Sequence, residues 1–126
     1  MGKNVVREKS YDFALRIVET YKVLSKEKKE LVLSKQVLRS GTSIGANIEE
    51  ADASISKAEF SAKISLAYKE ARETSYWLRL LFQSHYLDKN SFDSLFSDCE
   101  ELCRILHAIL RTTGRIRTRM VHDNDL

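Results

Sequence analysis

The sequence contains no proline and only four glycines among its 126 residues. Average proteins contain about 5% proline, and domains built from sheets need many turns. Since proline and glycine are the residues that most often interrupt helices, their scarcity favours long uninterrupted helices and argues against a sheet protein. A chain of this length forms one domain with one hydrophobic core.

The sequence also has no apolar run near the roughly 18 residues that a membrane-spanning helix needs. Its first residues, MGKNVVREK, do not include the apolar segment of a secretory signal. Only two cysteines are present, and Cys99 and Cys103 lie one helical turn apart, where a disulfide would be strained. We therefore expect a cytoplasmic protein without a membrane partner, in a reducing compartment.

Apolar residues recur at three-and-four spacing along four segments of the chain, the pattern of amphipathic helices. Short connections between such helices favour an antiparallel, up-down-up-down bundle. The prediction is an all-α fold with one four-helix bundle domain over residues 1–126. The predicted helices cover about 7–26, 30–53, 57–84 and 89–113, with a frayed tail at 115–126.

Local residues support three of the predicted helix ends. Ser56 with Glu59 three positions later forms the pattern of a capping box, which marks a helix start. Asp88 is a suitable N-cap for the fourth helix, and Gly114 is a suitable stop for it.

The net charge is only +3, but residues 102–119 contain five arginines and no acidic residue. One interpretation is a solvated helix end, where arginines favour the negative end of the helix dipole. The other is a phosphate-binding surface, because an up-down bundle brings both chain ends to one pole. Lys26, Lys28 and Lys29 would lie at the opposite pole. The candidate nucleic-acid-binding residues are Lys3, Arg7, Lys9, Arg111, Arg115, Arg117 and Arg119.

The third helix carries apolar residues on the side that faces away from the predicted core. On a wheel of about 100° per residue, Leu66, Tyr76, Trp77 and Leu80 lie roughly opposite the core-facing residues such as Phe60. Contiguous apolar residues on an outward face indicate a partner that covers them. We predict an interface between copies of this chain, with an unrelated partner protein as the alternative.

The second helix combines small residues with a polar side chain. Gly41 and Gly45 lie one turn apart, and glycine inside a helix costs about 1 kcal/mol relative to alanine, so the pair predicts a close backbone approach. Asn47 falls beside the apolar seam. It either fixes register or binds a ligand, or it bonds locally to its own helix, and the local bond is the favoured interpretation.

Two patterns resemble metal sites. Cys99, Cys103 and His107 form a C-x3-C-x3-H row that could supply three zinc ligands, but both cysteines also occupy the apolar seam of the fourth helix, and a core role is favoured. Four glutamates, at 49, 50, 70 and 73, lack the E-x-x-H pairs of a di-iron bundle, so solvated or salt-bridged roles are favoured. No metal or cofactor is predicted.

One enzymatic alternative remains. Some four-helix RNases act on a phosphate through an arginine and a histidine spaced R-x4-6-H, and Arg117 and His122 satisfy that spacing. So many arginines make a chance match easy, and both residues follow the predicted end of the fourth helix. The favoured prediction is that the protein is not an enzyme.

Two stretches of this chain resemble a known family. SIGANIEEA at 43–51 and KAEFSAKISLAYKEARETSYWLRLL at 57–81 are similar to the motifs of the bacterial proteins encoded in intervening sequences of 23S ribosomal RNA genes. Tyr68 stands where leucine is usual in that family. The matching residues are Ser43, Ile44, Asn47, Ile48, Glu50, Ala51, Lys57, Glu59, Phe60, Lys69, Glu70, Ala71, Glu73, Thr74, Tyr76, Trp77 and Leu78.

This resemblance implies an antiparallel four-helix bundle that assembles as a homopentamer, with no settled enzymatic activity. A related branch, the accessory protein of diversity-generating retroelements, implies a reverse transcriptase and nucleic acid as partners. The leading expectation is therefore a non-catalytic oligomeric scaffold that binds RNA or DNA through basic surfaces. The alternative is a protein-binding adaptor that does not bind nucleic acid.

Overall fold

The structure, a computed structural model, describes the backbone of residues 2–113 and the side chains of residues 5–113. Within this part of the chain the regular secondary structure is entirely α-helical, which confirms the all-α prediction. No helix in it is long and apolar enough to cross a bilayer. The four helices are α1 Gly2–Lys26, α2 Leu33–Asp52, α3 Lys57–Gln83 and α4 Lys89–Thr112.

The helices form a four-membered bundle in which α1 packs between α2 and α4, and α3 packs between the same two helices. Side-chain contacts show that neighbours run antiparallel. Arg7 near the start of α1 bonds Asp52 at the end of α2 (3.3 Å), and Ser61 near the start of α3 bonds Thr113 after α4 (3.1 Å). The start of α1 and the end of α4 therefore lie at the same pole, as an up-down-up-down bundle requires.

The core lies along the apolar seams that the sequence pattern predicts. Both cysteines belong to the core, which confirms the favoured interpretation of the C-x3-C-x3-H row, and both thiols are free. The neighbouring Cys103 sulfur and burial raise the pKa of the Cys99 thiol, which donates a hydrogen bond to the carbonyl of Ala71 (3.3 Å). The largest fully buried side chains are Val6, Phe13, Ile17, Leu24, Ile44, Ile48, Ile64, Leu78, Leu81, Leu102, Leu106 and Leu110.

Two helix starts differ from the prediction. Helix α1 begins at Gly2 rather than near residue 7, because nothing in its first turns interrupts a helix and Val6 is already buried in the core. Helix α2 begins at Leu33 rather than at Glu30. Lys29 adopts a left-handed backbone (φ 59°), so the chain turns sharply before α2 begins.

Glu30 acts as the N-terminal cap of α2 from three residues before its first helical position. Val32, at the usual cap position, has no side chain that can accept a hydrogen bond. The carboxylate of Glu30 instead accepts from the backbone N–H groups of Val32 (3.1 Å), Leu33 (3.0 Å) and Ser34 (2.6 Å). Burial by itself would raise the pKa of Glu30, but these bonds outweigh it and the pKa is lowered from 4.5.

This cap predicts acid-dependent stability. A carboxylate whose folded pKa is lowered stabilises the fold above its unfolded pKa, and the contribution is lost as the pH falls through the folded value. We expect Glu30→Gln to lower the free energy of unfolding by about 1 kcal/mol near neutral pH. The difference from wild type should narrow as the pH falls below about 4.5, the ordinary pKa of the unfolded chain, and disappear once the pH passes the lower folded pKa of Glu30. Chemical denaturation across this pH range measures it.

Glu27→Gln is the matched control, since Glu27 is an exposed carboxylate in the same connection. We expect it to change stability by less than about 0.5 kcal/mol at every pH. Equal losses from both variants would show that Glu30 does not cap α2.

The predicted caps of α3 and α4 are confirmed. Ser56 Oγ accepts from the backbone N–H of Glu59 (3.0 Å), and Asp88 Oδ1 accepts from that of Ser91 (2.7 Å). The Glu59 carboxylate accepts a hydrogen bond from the backbone N–H of Ile55 (2.9 Å), whereas a capping box would use the N–H of Ser56. Each bond satisfies a backbone donor that a helix start would leave free, so both starts are well defined.

The close approach predicted at the glycines of α2 is confirmed. A Cβ at Gly41 would lie 2.9 Å from Ile17 Cγ1, and one at Gly45 would lie 3.3 Å from Ser10 Oγ. Since Ile17 is fully buried, it cannot move away cheaply. The glycines therefore set how closely α1 and α2 pack.

Candidate functional site

A groove between the outer edges of α3 and α4 is lined by basic and aromatic side chains. Its volume is about 320 Å³. Helix α4 contributes Arg104, His107 and Arg111, and α3 contributes Tyr68 and Arg72. We call it the α3–α4 groove. Its complete lining is Tyr68, Arg72, Glu100, Cys103, Arg104, His107, Ala108 and Arg111.

The groove follows from helical spacing. Arg104, His107 and Arg111 are separated by three and four residues, so they lie on one flank of α4. Tyr68 and Arg72 are four residues apart on the facing flank of α3. The bundle brings the two flanks together because α3 and α4 are adjacent antiparallel helices.

The charge in the groove is strongly unbalanced. Among residues 5–113, no carboxylate lies within 4.0 Å of the guanidinium groups of Arg72, Arg104 or Arg111. The one acidic residue in the lining, Glu100, accepts a hydrogen bond from Ser75 Oγ (3.0 Å). Three arginines and one carboxylate line this concave site, and the excess of positive charge favours an anionic ligand.

Two aromatic rings lie against each other within the same groove. The Tyr68 and His107 ring centroids are 5.6 Å apart, with the ring planes tilted by 53°. Tyr68 is partly buried and packs against the hydrophobic core, which restricts the movement of its ring. The groove thus presents a fixed aromatic surface beside its arginines.

A larger cavity of about 690 Å³ lies at the pole where α2 connects to α3. Hydroxyl groups from Ser54, Ser56, Ser61, Thr112 and Thr113 surround it, and among the described residues Lys57 is the only charged one in its lining. Its described lining contains no cluster of charges. The α3–α4 groove is the better candidate despite its smaller volume.

Of the three basic candidates whose side chains the structure describes, Arg7, Lys9 and Arg111, only Arg111 lies in the groove. Arg7 pairs with Glu49 (3.0 Å) and Asp52, and Lys9 pairs with Glu101 (3.1 Å). Those pairs tie α1 to both of its neighbours. The side chains of Lys3, Arg115, Arg117 and Arg119 lie outside the described residues, as do Arg117 and His122 of the RNase pattern.

Arg7 and Arg111, which the sequence places together at one pole of the bundle, lie on different sides of it in the structure. Arg7 faces α2, whereas Arg111 lies on the edge between α3 and α4. They share a pole but lie on different sides of the bundle. The rotation of each helix about its own axis, which the positions of the chain ends do not determine, sets the side of the bundle on which each residue lies.

The outward face of α3 contains the four predicted interface residues. Leu66 and Tyr76 are 44% and 47% exposed, which is high for large apolar side chains, and Trp77 and Leu80 are half-buried. The Trp77 and Tyr76 rings meet edge to face, with centroids 5.0 Å apart. We call these four residues the α3 outer face.

Polar contacts fix the geometry of this face. Trp77 Nε1 donates to Glu73 Oε2 (2.9 Å), and Glu73 also forms an ion pair with Arg39 of α2. The hydrogen bond from Arg39 lowers the pKa of Glu73, and that from Trp77 acts in the same direction. These contacts hold the indole ring in one orientation.

Other residues singled out in the sequence have structural roles. Asn47 Nδ2 donates to the Ser43 carbonyl one turn earlier (2.9 Å), which confirms the local bond. The four glutamates form salt bridges between helices, as expected from the missing E-x-x-H pairs. The pairs are Glu49 with Arg7, Glu50 with Lys63, and both Glu70 and Glu73 with Arg39.

Sequence reasoning missed Tyr68, Arg72, Arg104 and His107 as parts of one site. The sequence pattern marks Arg104 only as one of five arginines between residues 102 and 119, and His107 only as a possible zinc ligand. The signal was present in the three-and-four spacing on each helix. Their meeting across two helices follows only from the packing of α3 on α4.

These features define the class of protein: a small antiparallel four-helix bundle with a basic groove and an apolar outer helix face. The chain belongs to the 23S rRNA-intervening sequence protein family, whose model matches residues 2–108.

A solved structure is similar over nearly the whole chain. It is a protein of unknown function from the S23 ribosomal protein family of Bacteroides thetaiotaomicron. The two chains are 50% identical, with a TM-score of 0.86, and the match covers 88% of this chain and 99% of the other. No curated protein matches the sequence.

Proposed function

We propose that this protein is a non-catalytic, homo-oligomeric, cytoplasmic scaffold that binds RNA or DNA through the α3–α4 groove. The observation that carries the proposal is the set of three arginines, Arg72, Arg104 and Arg111, without a carboxylate within 4.0 Å among the described residues. Phosphates are the anions that arginine recognises best, because its planar donor groups match two phosphate oxygens at once.

The proposed assembly uses the α3 outer face. Its four apolar residues lie on one side of α3, and Leu66 and Tyr76 are nearly half exposed, which is the type of surface that partners cover. The family resemblance implies five copies. A closed ring would repeat the groove in every copy, and several weak grooves binding one nucleic acid would give a much higher overall affinity than one groove.

Salt dependence tests the nucleic-acid function. Three phosphate contacts on a single strand give a slope of about −2 in a plot of log affinity against log salt concentration. We expect binding of a labelled RNA or DNA to weaken by roughly 20-fold for each groove between about 50 and 200 mM salt. Fluorescence anisotropy measures this, with the full-length protein. No binding at low salt would exclude the proposal.

The second candidate function is a protein-binding adaptor, in which the α3 outer face contacts a partner protein rather than another copy. The orientation of Trp77 by Glu73 favours a specific contact, since tryptophan anchors often dominate interface energies. A reverse transcriptase is the partner that the family resemblance implies. A monomer that does not bind nucleic acid at low salt would favour this function.

A further inference from the structure

We propose that the α3–α4 groove takes one unpaired nucleotide, with its base stacked on Tyr68 and its neighbouring phosphates held by arginines on either side. The inference rests on the proposed function and specifies the ligand: single-stranded RNA or DNA rather than a duplex. Three features of the groove carry it: its size, the order of its side chains and its floor.

The size excludes a duplex from the groove interior. About 320 Å³ is at the lower end of the 300–1,000 Å³ range of small-molecule sites, which is suitable for one base and its sugar. A rigid duplex can touch the rims of such a groove but cannot enter it. A base that is already unstacked can enter, as in most sequence-dependent recognition of RNA.

The order of side chains along the groove matches a nucleotide strand. Contacts between α3 and α4 set the levels: Ser75 is beside Glu100, and Tyr68 is beside His107. Arg104 precedes His107 on α4 and Arg111 follows it. The aromatic pair therefore lies between cations that are about 10 Å apart along the helix axis.

This alternation has a direct chemical consequence. A strand that runs along the groove places a phosphate near Arg111, a base against Tyr68, and the next phosphate near Arg104. Arg72 lies one turn from Tyr68 on α3 and adds a third cation at the Arg104 end. Grooves that track the backbone and aromatic rings that stack bases are the two elements of single-strand binding.

The floor of the groove is suited to a base rather than to a free phosphate. Cys103 is 5% exposed and Ala108 has only a methyl side chain, so the lining between the arginines is partly apolar. A base ring gains from covering such a surface, whereas a bare inorganic anion does not. Glu100 lies one turn beyond Arg104 on α4 and would repel a phosphate placed past that arginine, so the two phosphate sites are at Arg111 and between Arg104 and Arg72.

The test compares Tyr68→Leu with Tyr68→Phe in the full-length protein at low salt. The probes are a single-stranded RNA, a single-stranded DNA and a duplex of the same sequence. We expect Tyr68→Leu to weaken binding of both single strands by about 5- to 150-fold, the range for loss of one stacked base. Tyr68→Phe keeps the ring and should stay within about twofold of wild type. Binding of the duplex should not change with either variant.

Tyr11→Leu is the matched control, because Tyr11 is 61% exposed on α1, away from the groove. It should bind all probes as wild type does. If Tyr68→Leu binds single strands like wild type while arginine variants lose binding, this inference is wrong and the proposed function stands. If the wild-type protein binds no probe at all, both are wrong.

A measurement on the wild-type protein tests the inference even if Tyr68→Leu does not fold. Ultraviolet crosslinking to a single-stranded oligonucleotide, followed by mass spectrometry, should place adducts on Tyr68, Cys103 or His107. Adducts found exclusively outside the groove would overturn the inference. A duplex that binds more tightly than both single strands would also overturn it.

Discussion

Replacing Arg72, Arg104 and Arg111 together with alanine is expected to weaken nucleic-acid binding by on the order of 100-fold at low salt. Each exposed contact between an arginine and a phosphate contributes about 1 kcal/mol, and about 1.4 kcal/mol corresponds to tenfold in affinity. The slope of log affinity against log salt should fall in magnitude by about 2, since three phosphate contacts are lost. Anisotropy titrations at several salt concentrations measure both quantities.

A charge-matched control is available at the opposite pole. Replacing Lys26, Lys28 and Lys29 with alanine removes the same formal charge from exposed positions. These lysines lie more than about 20 Å from Arg104 along the bundle axis, beyond the Debye length of about 10 Å at 0.1 M salt. We expect a loss of no more than about threefold and an almost unchanged slope.

The comparison distinguishes a site from a general effect of charge. Equal losses from the two triple variants would show that net charge, rather than the groove, drives binding. Loss in the lysine variant alone would place the site at the other pole. The arginine variant should keep its helical content and melting temperature, because none of the three side chains pairs with a carboxylate among the described residues.

Leu66→Glu is expected to dissociate the assembly. The variant would place a carboxylate at the exposed N-terminal end of the α3 outer face, about 15 Å along the helix from Tyr76, where association would remove it from water without a partner charge. Truncating an anchor residue of an interface costs about 2 kcal/mol or more, so Trp77→Ala should raise the dissociation constant between neighbours by at least about 30-fold. Sedimentation velocity on a dilution series measures the change in mass.

Both variants should remain folded as protomers. Leu66 is 44% exposed, and the buried seam of α3, which includes Ile64 and Leu78, is not altered by either substitution. Trp77 packs partly against the core, so Trp77→Ala should lower the melting temperature somewhat while α3 stays helical. Assembly should therefore be lost at temperatures where circular dichroism still shows a helical protein.

Ile55→Glu is the control for added charge. Ile55 lies in the connection between α2 and α3, is 95% exposed and is not part of the α3 outer face. The same apolar-to-acidic change there should leave the oligomer intact. A wild-type protein that is monomeric at every concentration would contradict the proposed assembly, and equal dissociation by Ile55→Glu would show that the α3 outer face is not the interface.

The sequence was a good guide to everything that depends on one helix at a time. Apolar spacing predicted the seams that contain Ile44, Ile64 and Leu106, and the caps at Ser56 and Asp88 were identified correctly. These features depend on residues within a few positions of one another, where helical geometry is nearly constant. The predicted start of α2 at Glu30 was wrong. Glu30 caps the helix from three residues before Leu33, through a turn at Lys29 that no local sequence pattern indicated.

The sequence by itself determined an all-α bundle, its family and the apolar outer face of α3, since composition and spacing are sufficient for these. Only the tertiary structure decided which charges are available. It paired Arg7 and Lys9 with carboxylates of neighbouring helices, and it brought Tyr68 and Arg72 against Arg104, His107 and Arg111. Pairing and grouping between helices depend on how each helix is rotated against its neighbours, and packing of the whole core sets that rotation.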